Sequence, residues 1–159
     1  MIRRIKPSDR QPLENVLRSV SQFHEGDIQV ALELIDIAIN IPAQTDYHLF
    51  VYEEDGVIHG YHCTGKRPIT DAVYDLYWIV VDANTSRKGI GSELLKHAED
   101  FVKQNNGRWL LAETSSKDSY DKTRRFYFKN EYTILAEIND FYSVGEALVI
   151  YGKYFLNKS

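Results

Sequence analysis

The chain has 159 residues, of which 43% are hydrophobic and 26% charged, as in an ordinary globular domain. Its formal net charge of −4 argues against a general nucleic-acid binder, which needs a clustered basic face. No apolar run is long enough to cross a bilayer, and no signal-peptide core follows the charged N-terminus. We therefore expect a single domain over residues 1–159, in the cytoplasm, with no nucleic-acid or membrane partner.

The cysteine and histidine patterns predict neither a disulfide nor a metal site. Cys63 is the single cysteine, and the five histidines show no HExxH motif and no paired Cys/His spacing. A nucleophilic Cys63 with the adjacent His62 as its base is disfavoured, because successive residues of a strand point to opposite faces.

In chain order, the predicted elements are a strand, two helices, three strands, a helix, a strand, a helix and two strands. The strands are expected at 2–6, 49–52, 57–63, 73–82, 108–112, 132–138 and 146–154. The helices are expected at 8–22, 27–40, 89–105 and 119–129, the first opened by a capping box of Ser8 and Gln11. Consecutive strands mixed with a βαβ crossover indicate an α+β (mixed α/β) fold rather than a doubly wound one.

A phosphate-binding loop is predicted where the strand at 73–82 leads into the third helix. Gly89 and Gly91 lie at the start of that helix, whose first N–H groups lack intrahelical partners and attract anions. Arg87 and Lys88 add positive charge beside them. The spacing fits neither a Walker loop nor the dinucleotide fingerprint, and Gly-x-Gly alone could equally be a tight turn.

In this context the segment resembles the acetyl-CoA signature of the GNAT superfamily of N-acetyltransferases. That signature is a strand ending in apolar-x-Val, then a Q/R-x-x-G-x-G/A loop and a helix. Here Ile79-Val80-Val81 and Ser86-Arg87-Lys88-Gly89-Ile90-Gly91 occupy these positions, with Ser86 in place of Gln or Arg. Residues 127–132 resemble the family pattern Y-x-x-x-G-F, except that Glu131 replaces the glycine. The resemblance spans nearly the whole chain and is closest to a bacterial subgroup of mostly uncharacterised small-amine or amino-acid acetyltransferases.

The resemblance implies a GNAT fold, with a central, mostly antiparallel seven-stranded sheet, a splayed parallel pair and about four flanking helices. It also implies acetyl-CoA as co-substrate and no metal. Backbone amides of the strand end would hold the pantetheine arm, and the first turn of the next helix would bind the pyrophosphate. The residues implied for cofactor binding are Ile79, Val80, Val81, Arg87, Lys88, Gly89, Ile90, Gly91, Ser92 and Tyr120.

Two residues are implied for catalysis. Tyr127 matches the family's proton donor to the departing thiolate, and a phenol with an ordinary pKa of about 10 can reprotonate a thiol. Glu113 ends the strand after the loop helix, where the family often has a carboxylate that takes a proton from the amine, directly or through water. Without a catalytic role, Tyr127 would be a core tyrosine, and Glu113 would be a surface or ion-paired carboxylate.

The acceptor pocket is expected from residues 20–46 and 139–146, with Phe23, Tyr47 and Tyr142 as substrate contacts. Both segments carry aromatic and acidic residues, which suit a small cation. We expect the primary amine of a small molecule or amino acid as acceptor. A protein N-terminus or lysine and an aminoglycoside-like drug are alternatives, and a homodimer is compatible with the sequence. A catalytically degenerate CoA-binding sensor or partner protein of the same fold also stays open, because Ser86 and Glu131 depart from the family patterns.

Overall fold

The computed structural model describes residues 1–155, in which seven strands form one sheet and four α-helices flank it. The strands are β1 (Ile2–Arg4), β2 (His48–Glu54), β3 (Val57–Lys66), β4 (Val73–Val81), β5 (Trp109–Ser115), β6 (Thr133–Ser143) and β7 (Glu146–Tyr154). The α-helices are α1 (Arg10–Ser19), α2 (Glu25–Asn40), α3 (Ile90–Gln104) and α4 (Asp121–Lys129). The predicted order of these elements is confirmed.

The sheet has the strand order β1-β2-β3-β4-β5-β7-β6. Every neighbouring pair is antiparallel except β4 and β5, which run parallel because α3 connects them as a crossover helix. The α+β class with one parallel pair is therefore confirmed. At the sheet edge, β6 is exposed along all eleven of its residues and pairs only with β7 within the described part of the chain.

The parallel pair separates soon after it forms. β4 and β5 pair from Val73 with Trp109 to Asp75 with Leu111, and the pairing stops there, although both strands continue. Two residues further along β4, Tyr77 is an extra residue in the β3–β4 ladder, which pairs Leu76 and Trp78 but leaves Tyr77 out. Since a bulge bends its strand and increases its twist, it accounts for the divergence of β4 from β5. We call this gap the strand fork.

Each face of the sheet has its own hydrophobic core. On one face, α1 and α2 pack through residues such as Leu17 and Ile35 against β2, β3 and β4. On the other face, α3 and α4 pack through residues such as Ala98 and Tyr127 against β4, β5 and β7. The two cores fix the strands on either side of the fork, as expected for a sheet covered by helices on both faces.

The first helix begins and ends inside its predicted range. It starts at Arg10 after a short 3-10 turn, so the predicted capping by Ser8 is wrong. Asp9 takes that role instead, because its carboxylate accepts the Lys6 backbone N–H at 2.7 Å and pairs with Arg3 at 2.8 Å. The sequence pattern missed Asp9 because its strongest partner, Arg3, lies on β1.

The position at which Glu131 replaces a glycine lies at the C-terminal end of α4. Glu131 has a φ of +68°, in the left-handed region. The backbone N–H of Tyr132 donates to the Tyr127 carbonyl at 3.0 Å, and that of Glu131 to the Phe128 carbonyl at 3.1 Å, which is a Schellman motif. Glycine is favoured at this position because it lacks a Cβ, so the family pattern has a backbone reason here.

We predict that Glu131→Gly raises the free energy of unfolding by about 1 kcal/mol, because it relieves a left-handed non-glycine residue. Urea denaturation followed by circular dichroism measures the change. Glu131→Ala is the matched control: it removes the same carboxylate but keeps the Cβ, and should give no such gain. Equal stabilisation by both variants would show that the charge, not the backbone, is responsible.

Candidate active site at the strand fork

The strand fork opens into a cavity of about 750 Å³, within the usual range for small-molecule sites. The two strands of the fork and four neighbouring segments form its wall. The lining residues are 20–24 between α1 and α2, Asp27 of α2, 76–81 of β4, 113–115 of β5, Lys117, Ser119 and Tyr120 before α4, Thr123 and Tyr127 of α4, and Tyr142 and Glu146 of the β6–β7 hairpin. The cavity thus joins both edges of the fork to the α1–α2 connection.

An arginine holds the two strands at the base of the fork. The Arg67 guanidinium lies 3.0 Å from the carboxylate of Asp75, which is the last residue of β4 that pairs with β5. It lies 3.4 Å from the Glu113 carboxylate on β5. Asp75 is buried, whereas the Glu113 side chain is 46% exposed. Glu113 is therefore the ion-paired carboxylate of the alternative interpretation, and also a lining residue of the cavity.

Tyr127 is a buried residue of the cavity lining. Its side chain is 4% exposed, lines the cavity and packs on Tyr151 with ring centroids 5.4 Å apart. Burial raises the pKa of Tyr127, so the phenol stays protonated at neutral pH. Its hydroxyl makes no hydrogen bond within residues 1–155.

The N-terminus of α3 has the features of an anion site. Gly89 precedes the helix with a φ of +87°, and no described side chain caps the helix. Apart from Gly89 itself and its two neighbours in the chain, no described residue has an atom within 4 Å of the place that a Cβ of Gly89 would occupy. The amides of the first turn are therefore accessible to a phosphate, which the helix dipole attracts. A pyrophosphate fits this arrangement.

The two basic residues before Gly89 differ in their surroundings. The Arg87 guanidinium lies 2.9 Å from Glu93 and 3.4 Å from Glu54, and its Cζ is 5.5 Å from the centroid of the Tyr52 ring. Lys88 makes no ion pair with any residue that the structure describes. Arg87 is thus engaged by two carboxylates, whereas Lys88 has no carboxylate partner among the described residues.

The structure brings eight of the predicted site residues to one cavity: Phe23, Ile79, Val80, Val81, Glu113, Tyr120, Tyr127 and Tyr142. Arg87, Lys88, Gly89, Ile90, Gly91 and Ser92 lie outside its lining, in the connection that follows β4 and in the first turn of α3. Tyr47 also lies outside the lining; it packs edge-on against Tyr77, with ring centroids 5.3 Å apart.

Several lining residues were not predicted individually. Asp27 and Glu146 fall within the two segments expected to form the acceptor pocket, so their acidic side chains were the available signal. Tyr77 and Trp78 lie in the strand predicted at 73–82, and the sequence assigns them no role in a site. They reach the cavity because the bulge at Tyr77 changes the direction of β4, and nothing in the local sequence marks the bulge.

Two tyrosines of the cavity lining, Tyr120 and Tyr142, have carboxylates nearby. Burial, with Asp27 and Glu146 nearby, raises the pKa of Tyr120. Burial also raises the pKa of Tyr142, with Glu113 as the strongest of the neighbouring charges. Glu146 accepts a hydrogen bond from the Ser115 hydroxyl at 2.7 Å and lies 3.1 Å from the Lys117 ammonium. Together these contacts lower the pKa of Glu146, so it is ionised at neutral pH.

Cys63 and His62 do not form a nucleophile–base pair. Cys63 is fully buried in the core beneath α1 and α2, and burial raises the pKa of its thiol. His62 points to the other face, where its Nε2 lies 2.9 Å from Nδ1 of His97 on α3. Among residues 1–155, no three His, Cys, Asp or Glu side chains are grouped so that they could hold a metal ion. In the same range no helix is long and apolar enough to span a membrane.

We predict that Cys63 does not react with a chromogenic disulfide reagent in the native protein, because a buried thiol with a raised pKa gives little accessible thiolate. Absorbance should show no labelling over minutes in buffer and one thiol per chain in guanidinium. Fast labelling of the native protein would restore Cys63 as a candidate nucleophile.

Comparisons with known proteins agree with this geometry. A family model described as an acetyltransferase (GNAT) domain matches residues 45–134. A crystal structure from Desulfovibrio desulfuricans, assigned to the GNAT family, is 35% identical, covers 97% of this chain and 98% of its own, and has a TM-score of 0.93. A structure from Salmonella typhimurium with acetyl-CoA is 17% identical, covers 100% of this chain and 95% of its own, and shares the fold with a TM-score of 0.75.

A curated relative is also similar over part of its length. The S-(2-succino)cysteine N-acetyltransferase of Bacillus subtilis is 30% identical over 96 residues, which are 58% of this chain and 58% of the relative. The aligned region therefore spans little more than half of either protein.

Proposed function

The chain belongs to the GNAT acetyltransferase family, and on that premise we propose that it transfers the acetyl group of acetyl-CoA to a primary amine of a small molecule or amino acid. One observation carries the proposal: the strand fork opens into a cavity that Tyr127 and Glu113 both line. The Bacillus subtilis relative, whose name specifies a cysteine derivative as acceptor, supports a small acceptor.

Backbone groups of the chain would hold the co-substrate. From Leu76 onward, the side of β4 that faces β5 has no strand partner, so its amides and carbonyls are available to an extended pantetheine arm. The accessible amides of the first turn of α3 would bind the pyrophosphate. Acetyl-CoA supplies the activated thioester, and the neighbouring β4 amides would stabilise the negative charge on its carbonyl oxygen during attack.

The reaction is a direct attack within a ternary complex. The neutral amine forms the C–N bond, the C–S bond breaks, and the thiolate receives a proton. Glu113 would take the proton that the amine loses, directly or through water, and Tyr127 would donate one to the thiolate. Burial in one cavity raises the pKa of both a phenol and a thiol, so the raised pKa of Tyr127 remains compatible with this donation.

The alternative of a catalytically degenerate CoA-binding sensor depends on two departures from the family patterns, Ser86 and Glu131, and Glu131 has a backbone explanation. Glu131 departs from the family pattern at a Schellman position, where it affects backbone strain at the end of α4 and does not line the cavity. Only Ser86 remains as a departure in the loop itself. The catalytic proposal therefore needs a test of binding and a separate test of chemistry.

We predict that acetyl-CoA binds and raises the melting temperature. A ligand at 100 times its Kd adds about 2.7 kcal/mol to the free energy of unfolding, which is several degrees for a chain of this size. Gly89→Glu should abolish the shift, because a carboxylate would occupy the open space before α3 and repel the pyrophosphate. Gly89→Ala is the control for the backbone strain at φ +87° and should keep most of the shift. Equal shifts in all three proteins would contradict the phosphate site.

We predict that Tyr127→Phe lowers kcat by roughly ten- to ten-thousand-fold, the range for a lost general acid. The acetyl-CoA dissociation constant should barely change, because the phenol meets negative charge only as the thiolate leaves. Thiol release measures turnover, and calorimetry measures binding. Tyr154→Phe, on β7 outside the cavity, should behave as wild type. A fully active Tyr127→Phe variant would remove Tyr127 from the mechanism.

A further inference from the structure

The charges of the cavity lining are unbalanced. Asp27, Glu113 and Glu146 line the cavity, and Lys117 is the only lysine or arginine among its described lining residues. Lys117 pairs with Glu146 at 3.1 Å, so its ammonium is already engaged. The Asp27 carboxylate accepts the His24 backbone N–H at 2.8 Å, which fixes its position without neutralising its charge. Arg67, which is not a lining residue, pairs with Glu113 at 3.4 Å. Asp27 is thus the lining carboxylate without an ion-pair partner among the described residues, and the lining offers no free cation to bind a carboxylate.

Aromatic rings accompany these carboxylates. Tyr120 and Tyr142 line the same part of the cavity, and their raised pKa values keep both phenols neutral. On the opposite side, Phe23 packs edge-on against Trp78, with ring centroids 5.6 Å apart, and both residues line the cavity. Neutral aromatic rings beside carboxylates are the surroundings in which proteins bind alkylammonium groups.

A buried hydroxyl independently indicates a polar ligand. Thr114 lines the cavity from β5, is only 5% exposed, and its Oγ1 has no hydrogen-bond partner among the residues that the structure describes. An unpaired buried hydroxyl carries a free-energy cost that a ligand with a polar group would remove. This observation does not depend on the carboxylates, which belong to other hydrogen bonds.

We infer that the acceptor is a small diamine, with a second, protonated amino group at the end away from the acetylated one and no carboxylate. The far ammonium binds between Asp27 and Glu146 against the rings of Tyr120 and Tyr142, while the near amine loses its proton towards Glu113 and attacks. This inference rests on the proposed function and narrows its acceptor class. Amines with a carboxylate at the far end are excluded, because like charges meet in a cavity partly shielded from water.

Three acceptors of one chain length test the inference: 1,4-diaminobutane, n-butylamine and 4-aminobutanoate, which differ only in the far group. Thiol release is measured at saturating acetyl-CoA and constant pH. We expect kcat/KM to be at least tenfold higher for the diamine than for n-butylamine, mainly through KM. It should be at least tenfold lower for 4-aminobutanoate than for n-butylamine.

Two isosteric variants test whether Asp27 and Glu146 cause the preference for the diamine over n-butylamine. Glu146→Gln and Asp27→Asn should each raise the KM for the diamine at least fivefold and change that for n-butylamine less than twofold. Two variants are needed because Glu146 also bonds Ser115 and Lys117, whereas asparagine at position 27 can still accept the His24 N–H. Glu33→Gln, on the exposed side of α2 outside the cavity, is the matched control and should change neither KM.

The outcomes separate the two proposals. Turnover of n-butylamine at the same kcat/KM as the diamine, or preference for 4-aminobutanoate, would overturn the diamine inference and leave the acetyltransferase proposal intact. An unchanged preference for the diamine in both cavity variants would also overturn it. Absence of thiol release with all three amines, despite acetyl-CoA binding, would overturn the diamine inference. Absence of thiol release with every amine of a broader panel that includes amino acids would overturn the proposed function as well.

Discussion

The site depends on one constraint, the early end of hydrogen bonding between β4 and β5. Three residue pairs hold these parallel strands together, and the ladder stops at Asp75 and Leu111. The bulge at Tyr77 bends β4 away at this point while β3 continues to pair with it. Unpaired strand edges inside a folded domain are costly, so a fork of this kind is stable only when a ligand or water satisfies its backbone groups. The cavity and the predicted cofactor site follow from that gap.

Two arginines support the fork without touching its interior. Arg67 bridges Asp75, the last residue of β4 that pairs with β5, and Glu113 on β5, so it links the two strands where they separate. At the other end, the Arg124 guanidinium donates to the carbonyls of Ser115 and Lys117, both at 2.7 Å, and fixes the end of β5 against α4. The same helix carries Tyr127, so Arg124 links the end of β5 to the helix that positions the phenol.

The two departures from the family patterns have different physical meaning. Glu131 occupies a left-handed position at the end of α4, where the side chain costs stability but lies away from the cavity. Ser86 lies in the loop before α3, where the backbone amides of the first helical turn would hold a phosphate in the proposed site. Substitution at a side-chain position of this loop is therefore tolerable as long as the amides remain accessible.

The sequence by itself determined the element order, the α+β class and the loop before α3, because hydrophobic period, glycine placement and strand-to-helix transitions are local properties. It also singled out Tyr127 and Glu113, which the structure brings to one cavity. Only the tertiary structure decided that Tyr77 and Trp78 turn towards the cavity, that Tyr47 does not line it, and that Asp9 replaces Ser8 in the first turn. A bulge depends on the register with β3, and the role of Asp9 depends on Arg3 of β1. Charge balance in the cavity likewise appeared only when residues from α2, β5 and β7 came together, since no local pattern encodes contacts between distant segments.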